Sequence, residues 1–249
     1  MRLLEYQAKE LFKEFGIRIP PSLTSKDIEQ GRKDAKELGF PFVIKIQVPV
    51  GGRGKAGGIQ KCHNEDEFEL KYPQVLGLTI KGEKARAILL EKMAEIKKEL
   101  YLSLFLNRGK RCYTIIASAD GGVEIESVKS QIIREVGLGK VEEDVARDVA
   151  KEMNLEGKSA DDLVEILQKL SKLTIEKETE LVEINPLAVL DDDSLMALDG
   201  KVITDDNANF RHEELQKYQE RSEIEERAEK SGFSLVELDG NIAVVGNGA

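Results

Sequence analysis

Apolar and polar positions follow two different periods along the chain, and these periods predict an intermixed order of helices and strands. Apolar residues recur at helical spacing up to Gly16, so the chain is predicted to open with an amphipathic helix. A second helix of the same kind, with Thr24 or Ser25 as its N-cap, is predicted to end at Gly39. The residues that follow change to a period of two.

Residues 42–48 alternate in the way that is typical of a β-strand. Phe42 and Ile44 share one face, and Lys45 lies on the other face. A lysine in the middle of such a strand is either an edge residue that faces water or a buried cation that needs an anion. The strand alone favours the first interpretation.

The segment after this strand, residues 51–58, reads Gly-Gly-Arg-Gly-Lys-Ala-Gly-Gly. It contains the G-x-G-x-x-G spacing of dinucleotide-binding proteins, but the chain continues as an extended segment where that motif needs a helix. A glycine-rich backbone can approach a phosphate closely and offer N–H donors to it. Together with Arg53 and Lys55, the loop therefore favours phosphate binding over a mobile surface turn, and it makes a phosphate contact by Lys45 more plausible.

A second hairpin is predicted for residues 181–190 and 195–202 around three aspartates, 191–193. If these aspartates form a three-residue loop, Asn185 lies opposite Asp199 and Glu183 lies opposite Lys201. A carboxylate and an amide oxygen at cross-strand distance are ligands that Mg²⁺ takes together with phosphates and water. The alternative is a solvated hairpin face, and a register slip of one residue would remove the site.

The remaining pattern adds further strands and helices. The predictions are strands at 85–91 and 98–106, a hairpin over 98–119, a strand through Ile125, a helix over 141–153, a helix that Ser159 and Asp162 begin, and a charged helix at about 212–230. Residues 235–245 read as a strand followed by a glycine turn, which is typical of the first strand of a parallel α/β unit. We infer a truncated second domain.

Composition and charge narrow the classes of function. The chain has 47 acidic and 37 basic residues and a net charge of −10, which argues against nucleic acid as a partner. Its two cysteines have no zinc or disulfide spacing, as expected in a reducing compartment. No apolar run approaches the 18 residues of a membrane span. We therefore expect a cytoplasmic protein without a membrane partner.

Six segments, in order along nearly the whole chain, carry a family resemblance. They are residues 4–9 (LEYQAK), 43–58, 98–101 (KELY), 121–126 (GGVEIE), 183–187 (EINPL) and 198–201 (LDGK). The chain resembles the β subunits of succinate–CoA ligases. The resemblance implies an α+β fold, with an ATP-grasp domain of two lobes over residues 1–228 and a small lobe at about 21–97. It also implies that residues 229–249 are the truncated start of a flavodoxin-like α/β ligase domain.

The resemblance also implies roles for individual residues. Phosphates of the nucleotide would contact Lys45, Gly52, Arg53 and Gly54; the hinge residues Glu91 and Ala94 would hold the base, Ala94 through its backbone, and Glu99 would contact the nucleotide. Asn185 and Asp199 match Mg²⁺ ligands, in agreement with the hairpin argument, and Asn247 matches a substrate-contacting asparagine. The pair Pro49–Val50 departs from the commoner residues before the loop but removes no ligand.

The activity implied by the resemblance is the conversion of succinyl-CoA, NDP and phosphate to succinate, CoA and NTP. It runs through a phosphohistidine on an α subunit, in a heterodimer or heterotetramer, so no catalytic residue is assigned here and the chain alone is expected to be inactive. The nucleotide is ATP or GTP, with Mg²⁺. A β-type subunit of a related enzyme, malate–CoA ligase or ATP-citrate lyase, and a non-catalytic nucleotide-binding module remain alternatives.

Overall fold

The computed structural model describes residues 1–122, 125, 130–218, 223–233, 235 and 242–247. Residues Met1–Arg211 form one compact unit and residues His212–Ala249 form another. Both cysteines are free thiols. None of the helices within the described ranges has the length and apolar character that a bilayer crossing needs.

The first unit begins with helix α1 (Glu5–Glu14), which buries the predicted apolar stripe of Ala8, Leu11 and Phe12. A four-stranded antiparallel sheet, the small sheet, follows in the chain. Its elements are β1 (Ser22–Ser25), α2 (Ile28–Leu38), β2 (Phe42–Gln47), β3 (Ile59–Cys62), α3 (Glu65–Leu76), the short strands β4 (Thr79–Ile80) and β5 (Glu83–Lys84), and β6 (Ala87–Lys92). The strand order is β1-β6-β2-β3, and β4 and β5 pair separately.

The small sheet has an apolar face and a charged face, as the alternation in β2 predicts. Phe42, Ile44 and Ile46 pack with residues of α2 and α3 in one core. Lys45 and Gln47 lie on the other face, and both are nonetheless buried. The edge-residue interpretation of Lys45 is therefore wrong, because β2 lies between β6 and β3.

A six-stranded antiparallel sheet, the large sheet, forms the rest of this unit. Its elements are β7 (Ile96–Asn107), β8 (Cys112–Ser118), β9 (Ile132–Val136), α4 (Glu143–Glu152), α5 (Gly157–Glu176), β10 (Thr179–Leu190), β11 (Leu195–Ala197) and β12 (Lys201–Thr204). The order is β11-β10-β7-β8-β9, and β12 also pairs with β10. A 3₁₀ helix, Asp206–Arg211, ends the unit, and the second unit contains α6 (Glu213–Gln216) and α7 (Glu223–Lys230).

The structure corrects several boundaries near helix starts. Asp27, and neither Thr24 nor Ser25, caps α2: its side chain accepts from the backbone N–H of Gln30 at 2.8 Å. Thr24 and Ser25 belong to β1, where pairing with β6 satisfies their backbone groups instead. Helix α5 begins at Gly157, two residues before the predicted start at Ser159.

Two predicted strands are not found among the described residues. Ile125 lies in a helical turn, and the rest of its predicted strand, residues 123–124, lies outside the described residues. Residues 242–247 form no strand and are exposed, Val245 at 96%. A strand needs a neighbour to pair its backbone groups, and no strand within the described residues pairs with this segment. Residues 236–241 lie outside the described residues, and the flavodoxin-like domain stays a prediction.

Candidate functional site

A cavity of about 810 Å³ lies between the glycine-rich loop and the β10 hairpin in the first unit. Five residues predicted from the sequence line it: Gly52, Arg53, Gly54, Asn185 and Asp199. The cations Arg2, Lys55 and Lys201 and the carboxylate of Glu183 also line it. The structure thus brings the two separately predicted sites to one space.

The glycine-rich loop, residues 51–58, joins β2 to β3 without a helix, as predicted. The Gly58 N–H donates to the Arg53 carbonyl at 2.8 Å, and the Ile46 N–H donates to the Gly58 carbonyl at 2.8 Å. A Cβ on Gly58 would lie 2.4 Å from the Ile46 side chain, so only glycine allows this close return of the loop. Gly52 has a φ of 87°, which also favours glycine.

Arg53 connects the loop to two other parts of the chain. Its Nη1 donates to Glu5 Oε2 at 2.5 Å, and its Nη2 donates to Asp199 Oδ2 at 2.6 Å. Burial alone would lower the pKa of Arg53, but the carboxylates of Glu5 and Asp199 raise it above its ordinary value. The guanidinium is therefore a permanent positive charge in the cavity wall, placed beside a predicted metal ligand.

Lys45 belongs to a buried charge cluster behind the cavity, formed by Glu5, Lys9, Lys45, Arg53 and Glu91. Its ammonium donates to Glu5 Oε1 at 2.9 Å, to Glu91 Oε1 at 2.6 Å and to the carbonyl oxygen of residue 198 at 2.7 Å. These three acceptors match the three N–H donors of a lysine. Burial would lower the pKa of Lys45, but Glu5 and Glu91 raise it.

Lys9 makes the same kind of contacts as Lys45. It donates to Glu5 Oε1 at 2.8 Å, to Glu91, and to the Leu198 carbonyl oxygen at 2.7 Å. Helix α1, two strands of the small sheet and the segment after β11 therefore share one ionic network. Lys45 and Glu91 do not line the cavity as the described residues define it.

Ala94 and Glu99, which are also predicted to contact the nucleotide, are not among the residues that line the cavity in the described part of the chain. Ala94 is half-buried in the segment that joins β6 to β7, and it packs against Ala188, Leu190 and Met196. Glu99 is exposed on β7, where a Cβ on Gly122 would lie 1.9 Å from its carboxylate. Asn247 is exposed and belongs to the second unit. The structure thus brings the predicted residues of the glycine-rich loop and the predicted metal ligands to one cavity, whereas Lys45 and Glu91 contact each other behind it.

The predicted register of the β10 hairpin is confirmed. Glu183 pairs with Lys201 and Leu187 pairs with Ala197, so the same count places Asn185 opposite Asp199 between β11 and β12. The Asn185 amide oxygen accepts from the Gly122 N–H at 2.8 Å, and Asp199 Oδ1 accepts from the Gly200 N–H at 2.7 Å.

The donor set of this hairpin fits Mg²⁺. Within the described ranges no three His, Cys, Asp or Glu side chains group as a metal site, so a carboxylate-rich cage is absent there. Mg²⁺ is commonly held by one or two carboxylates together with phosphates and waters. One carboxylate and one amide oxygen at the wall of this cavity match that requirement, and they would be Asp199 and Asn185.

The sequence analysis assigned no role to Glu5 or Lys9, and the structure shows that both are less than 5% exposed. A signal was present: Glu5 and Lys9 share the helical spacing i, i+3, i+4, i+7 with the buried Ala8 and Phe12. Charged residues on the apolar face of a helix must find partners inside the protein. The spacing along the chain reveals such a pattern, but it does not reveal the partners.

Comparison with known proteins decides the family. Residues 2–189 match the ATP-grasp domain family. The whole chain is 43% identical to the succinate–CoA ligase [ADP-forming] subunit β of Ignicoccus hospitalis, over 68% of that protein, and 39% identical to that of Pyrobaculum calidifontis, over 69%. The chain belongs to the succinate–CoA ligase β-subunit family. The resemblance given by the sequence motifs is thereby confirmed, as is the ATP-grasp nucleotide-binding part of an acid–thiol ligase.

The fold of this ATP-grasp ligase subunit recurs in distant structures. The dinucleotide forming acetyl-coenzyme A synthetase 1 of Candidatus Korarchaeum cryptofilum, solved with coenzyme A, Ca-AMPCP and HgCl+, has a TM-score of 0.72 at 21% identity. The match covers 82% of this chain and 93% of the synthetase chain. At this identity the likeness supports the fold alone.

Proposed function

We propose that the cavity binds the phosphates of a Mg²⁺–nucleotide, and that this chain is the nucleotide-binding end of a succinate–CoA ligase. The reaction is succinyl-CoA, NDP and phosphate to succinate, CoA and NTP. The names of the curated relatives specify ADP formation, which supports ATP over GTP as the nucleotide. The two free thiols fit a cytoplasmic location.

One observation carries this proposal: the glycine-rich loop and the hairpin that bears Asn185 and Asp199 line the same cavity. Phosphoryl transfer requires positioning and charge neutralisation more than covalent chemistry by the protein. The cavity supplies both, through the cations Arg53 and Lys55 and the N–H groups of the loop on one side and metal ligands on the other.

The residues divide this work between them. Arg53 and the backbone of Gly52 and Gly54 orient the phosphate oxygens. Asn185 and Asp199 would hold Mg²⁺, which when bound supplies positive charge to the terminal phosphates. Lys45 lies one layer behind, where it supports Glu5 and Glu91 and adds positive potential. Glu91 and Ala94 would hold the base, Ala94 through its backbone, and Glu99 would contact the nucleotide.

The partner is an α subunit that carries the phosphohistidine, in a heterodimer or heterotetramer. Succinate and CoA bind to the assembled enzyme, with Asn247 as one contact. This arrangement assigns no covalent step to the present chain, and neither His63 nor His212 lines the cavity among the described residues.

The test is calorimetry of ATP and GTP binding, each with and without Mg²⁺, to the chain and to Asp199→Ala. Loss of a carboxylate at the metal site is expected to weaken Mg²⁺-dependent ATP binding by about tenfold or more. Asp191→Ala is the matched control, because Asp191 is exposed in the turn of the same hairpin. Equal Mg²⁺-dependent affinity of Asp199→Ala and the wild type would contradict the proposal.

A further inference from the structure

Glu5 accepts four hydrogen bonds from side chains of the described residues. Its Oε1 accepts from Lys9 at 2.8 Å and from Lys45 at 2.9 Å, and its Oε2 accepts from Arg53 at 2.5 Å and from Gln47 at 3.4 Å. The residue is 4% exposed and does not line the cavity as its described residues define it. Any effect of Glu5 on a ligand must therefore pass through these partners.

The carboxylate stays ionised in this position. Burial raises the pKa of Glu5, but Arg53, Lys45 and Lys9 outweigh burial and hold it well below its ordinary value. Glu5 is also the first residue of α1, where the helix dipole favours a negative charge. A full negative charge is thus fixed one layer behind the cavity at neutral pH.

Arg53 is the partner through which Glu5 reaches the cavity. Its guanidinium is a fork: Nη1 binds Glu5 on the buried side, and Nη2 points to Asp199 at the cavity wall. The arginine stands on a loop with five glycines within residues 51–58, and an arginine side chain alone has many rotamers. Glu5 belongs to helix α1, so its hydrogen bond to Arg53 restricts the rotamers of the arginine side chain.

Glu5 also determines how Arg53 is shared with Asp199. With Glu5 charged, the guanidinium divides its donors between two carboxylates. Without the charge of Glu5, Arg53 keeps only the carboxylate of Asp199 of these two partners. The arginine would then compete with a bound Mg²⁺ for Asp199. Loss of Glu5 should therefore weaken both parts of the phosphate site.

We propose that Glu5 is a positioning residue, which holds Arg53 in the orientation that receives nucleotide phosphates and leaves Asp199 available to Mg²⁺. This inference rests on the function proposed above. It concerns a residue that contacts neither phosphate nor metal.

The experiment measures binding of ATP with Mg²⁺ and of adenosine, a probe without phosphates, to the wild type, Glu5→Gln, Arg53→Gln and the double variant. Glu5→Gln is expected to weaken ATP binding about tenfold, as outer positioning residues do, and to leave adenosine binding unchanged. In the Arg53→Gln background the same substitution should have no further effect on ATP. Equal losses from Glu5→Gln in both backgrounds would overturn the proposal.

Two further variants distinguish the positioning of Arg53 by Glu5 from a general loss of stability in the buried charge cluster. Lys9→Gln removes another buried partner of Glu5 that neither contacts Arg53 nor lines the cavity as described. It should lower thermal stability but retain wild-type ATP affinity, and an ATP loss equal to that of Glu5→Gln would contradict the inference. Glu5→Asp keeps the charge on a shorter side chain and serves the same cycle if the amide variant does not fold.

The outcomes for the two proposals differ. If Arg53→Gln weakens ATP binding while folded Glu5→Gln binds like the wild type, the inference about Glu5 is wrong and the phosphate site stands. If Arg53→Gln binds ATP like the wild type, the phosphate site itself is wrong.

Discussion

Two acid–base pairs with the same spacing, Glu5–Lys9 in α1 and Glu67–Lys71 in α3, have opposite surroundings. Their N–O distances are nearly equal, 2.8 and 2.7 Å. The side chains of the first pair are 1% and 2% exposed, and those of the second are 32% and 25% exposed. Because desolvation and further partners differ, the two ion pairs are expected to contribute differently to stability despite their similar N–O distances.

The two pairs also differ in the number of other groups that each side chain contacts. Lys71 has one additional acceptor, the carbonyl oxygen of Lys61 at 2.7 Å. Glu5 and Lys9 share a network with two more cations and with Glu91, so each charge in it is balanced by others. Removing one member leaves a buried charge without its counter-charge. Water cannot replace that partner, because these side chains are buried.

The largest expected effect is on stability when the buried pair is broken. Lys9→Gln should lower the free energy of unfolding by about 3 kcal/mol, because Glu5 and Glu91 then share fewer cations in a place without water. Urea denaturation followed by circular dichroism measures it. A loss below about 1 kcal/mol, the range of exposed pairs, would remove the distinction between the two regions.

A second effect concerns acid. The pKa of Glu5 is lower in the folded chain than its ordinary value of 4.5, so its charge stabilises the fold above that pH, and the contribution is lost as pH falls through the folded pKa. The stability difference between the wild type and Glu5→Gln should therefore narrow from neutral pH to about pH 3. Denaturant titrations of both proteins at several pH values test this, and a difference independent of pH contradicts it.

The smallest effect is expected at the exposed pair. Lys71→Gln, the matched substitution, should cost about 0.3–0.5 kcal/mol and should cost less still at high salt. The same urea denaturation, at low and high ionic strength, measures it. A salt-independent loss as large as that of Lys9→Gln would mean that exposure is not what separates the pairs.

The fold of the hairpins could be predicted because local rules decide it. Period-two alternation placed Lys45 on one face of β2 and Phe42 and Ile44 on the other face. Three successive aspartates indicated a turn, and counting from that turn paired Asn185 with Asp199. These predictions use only neighbours along the chain. Such neighbours suffice for the hairpin part of the candidate site.

The ionic part of the site could not be predicted in the same way. Arg53 contacts residues that are 48 and 146 positions away along the chain, and no pattern in the neighbouring sequence indicates these contacts. Strand β1 was missed for a related reason: serine and threonine at 22–25 are good N-caps, and only pairing with β6 makes them a strand. Tertiary partners decided both cases.

The carbonyl oxygen of Leu198 accepts from both Lys9 and Lys45. Because this acceptor belongs to the main chain, any amino acid at position 198 would present it. A mutational scan of side chains would therefore register the two lysines as important but pass over the group that both of them hold. Evolution, too, could vary the residue at this position freely in its side chain and still keep the junction that the lysines make there.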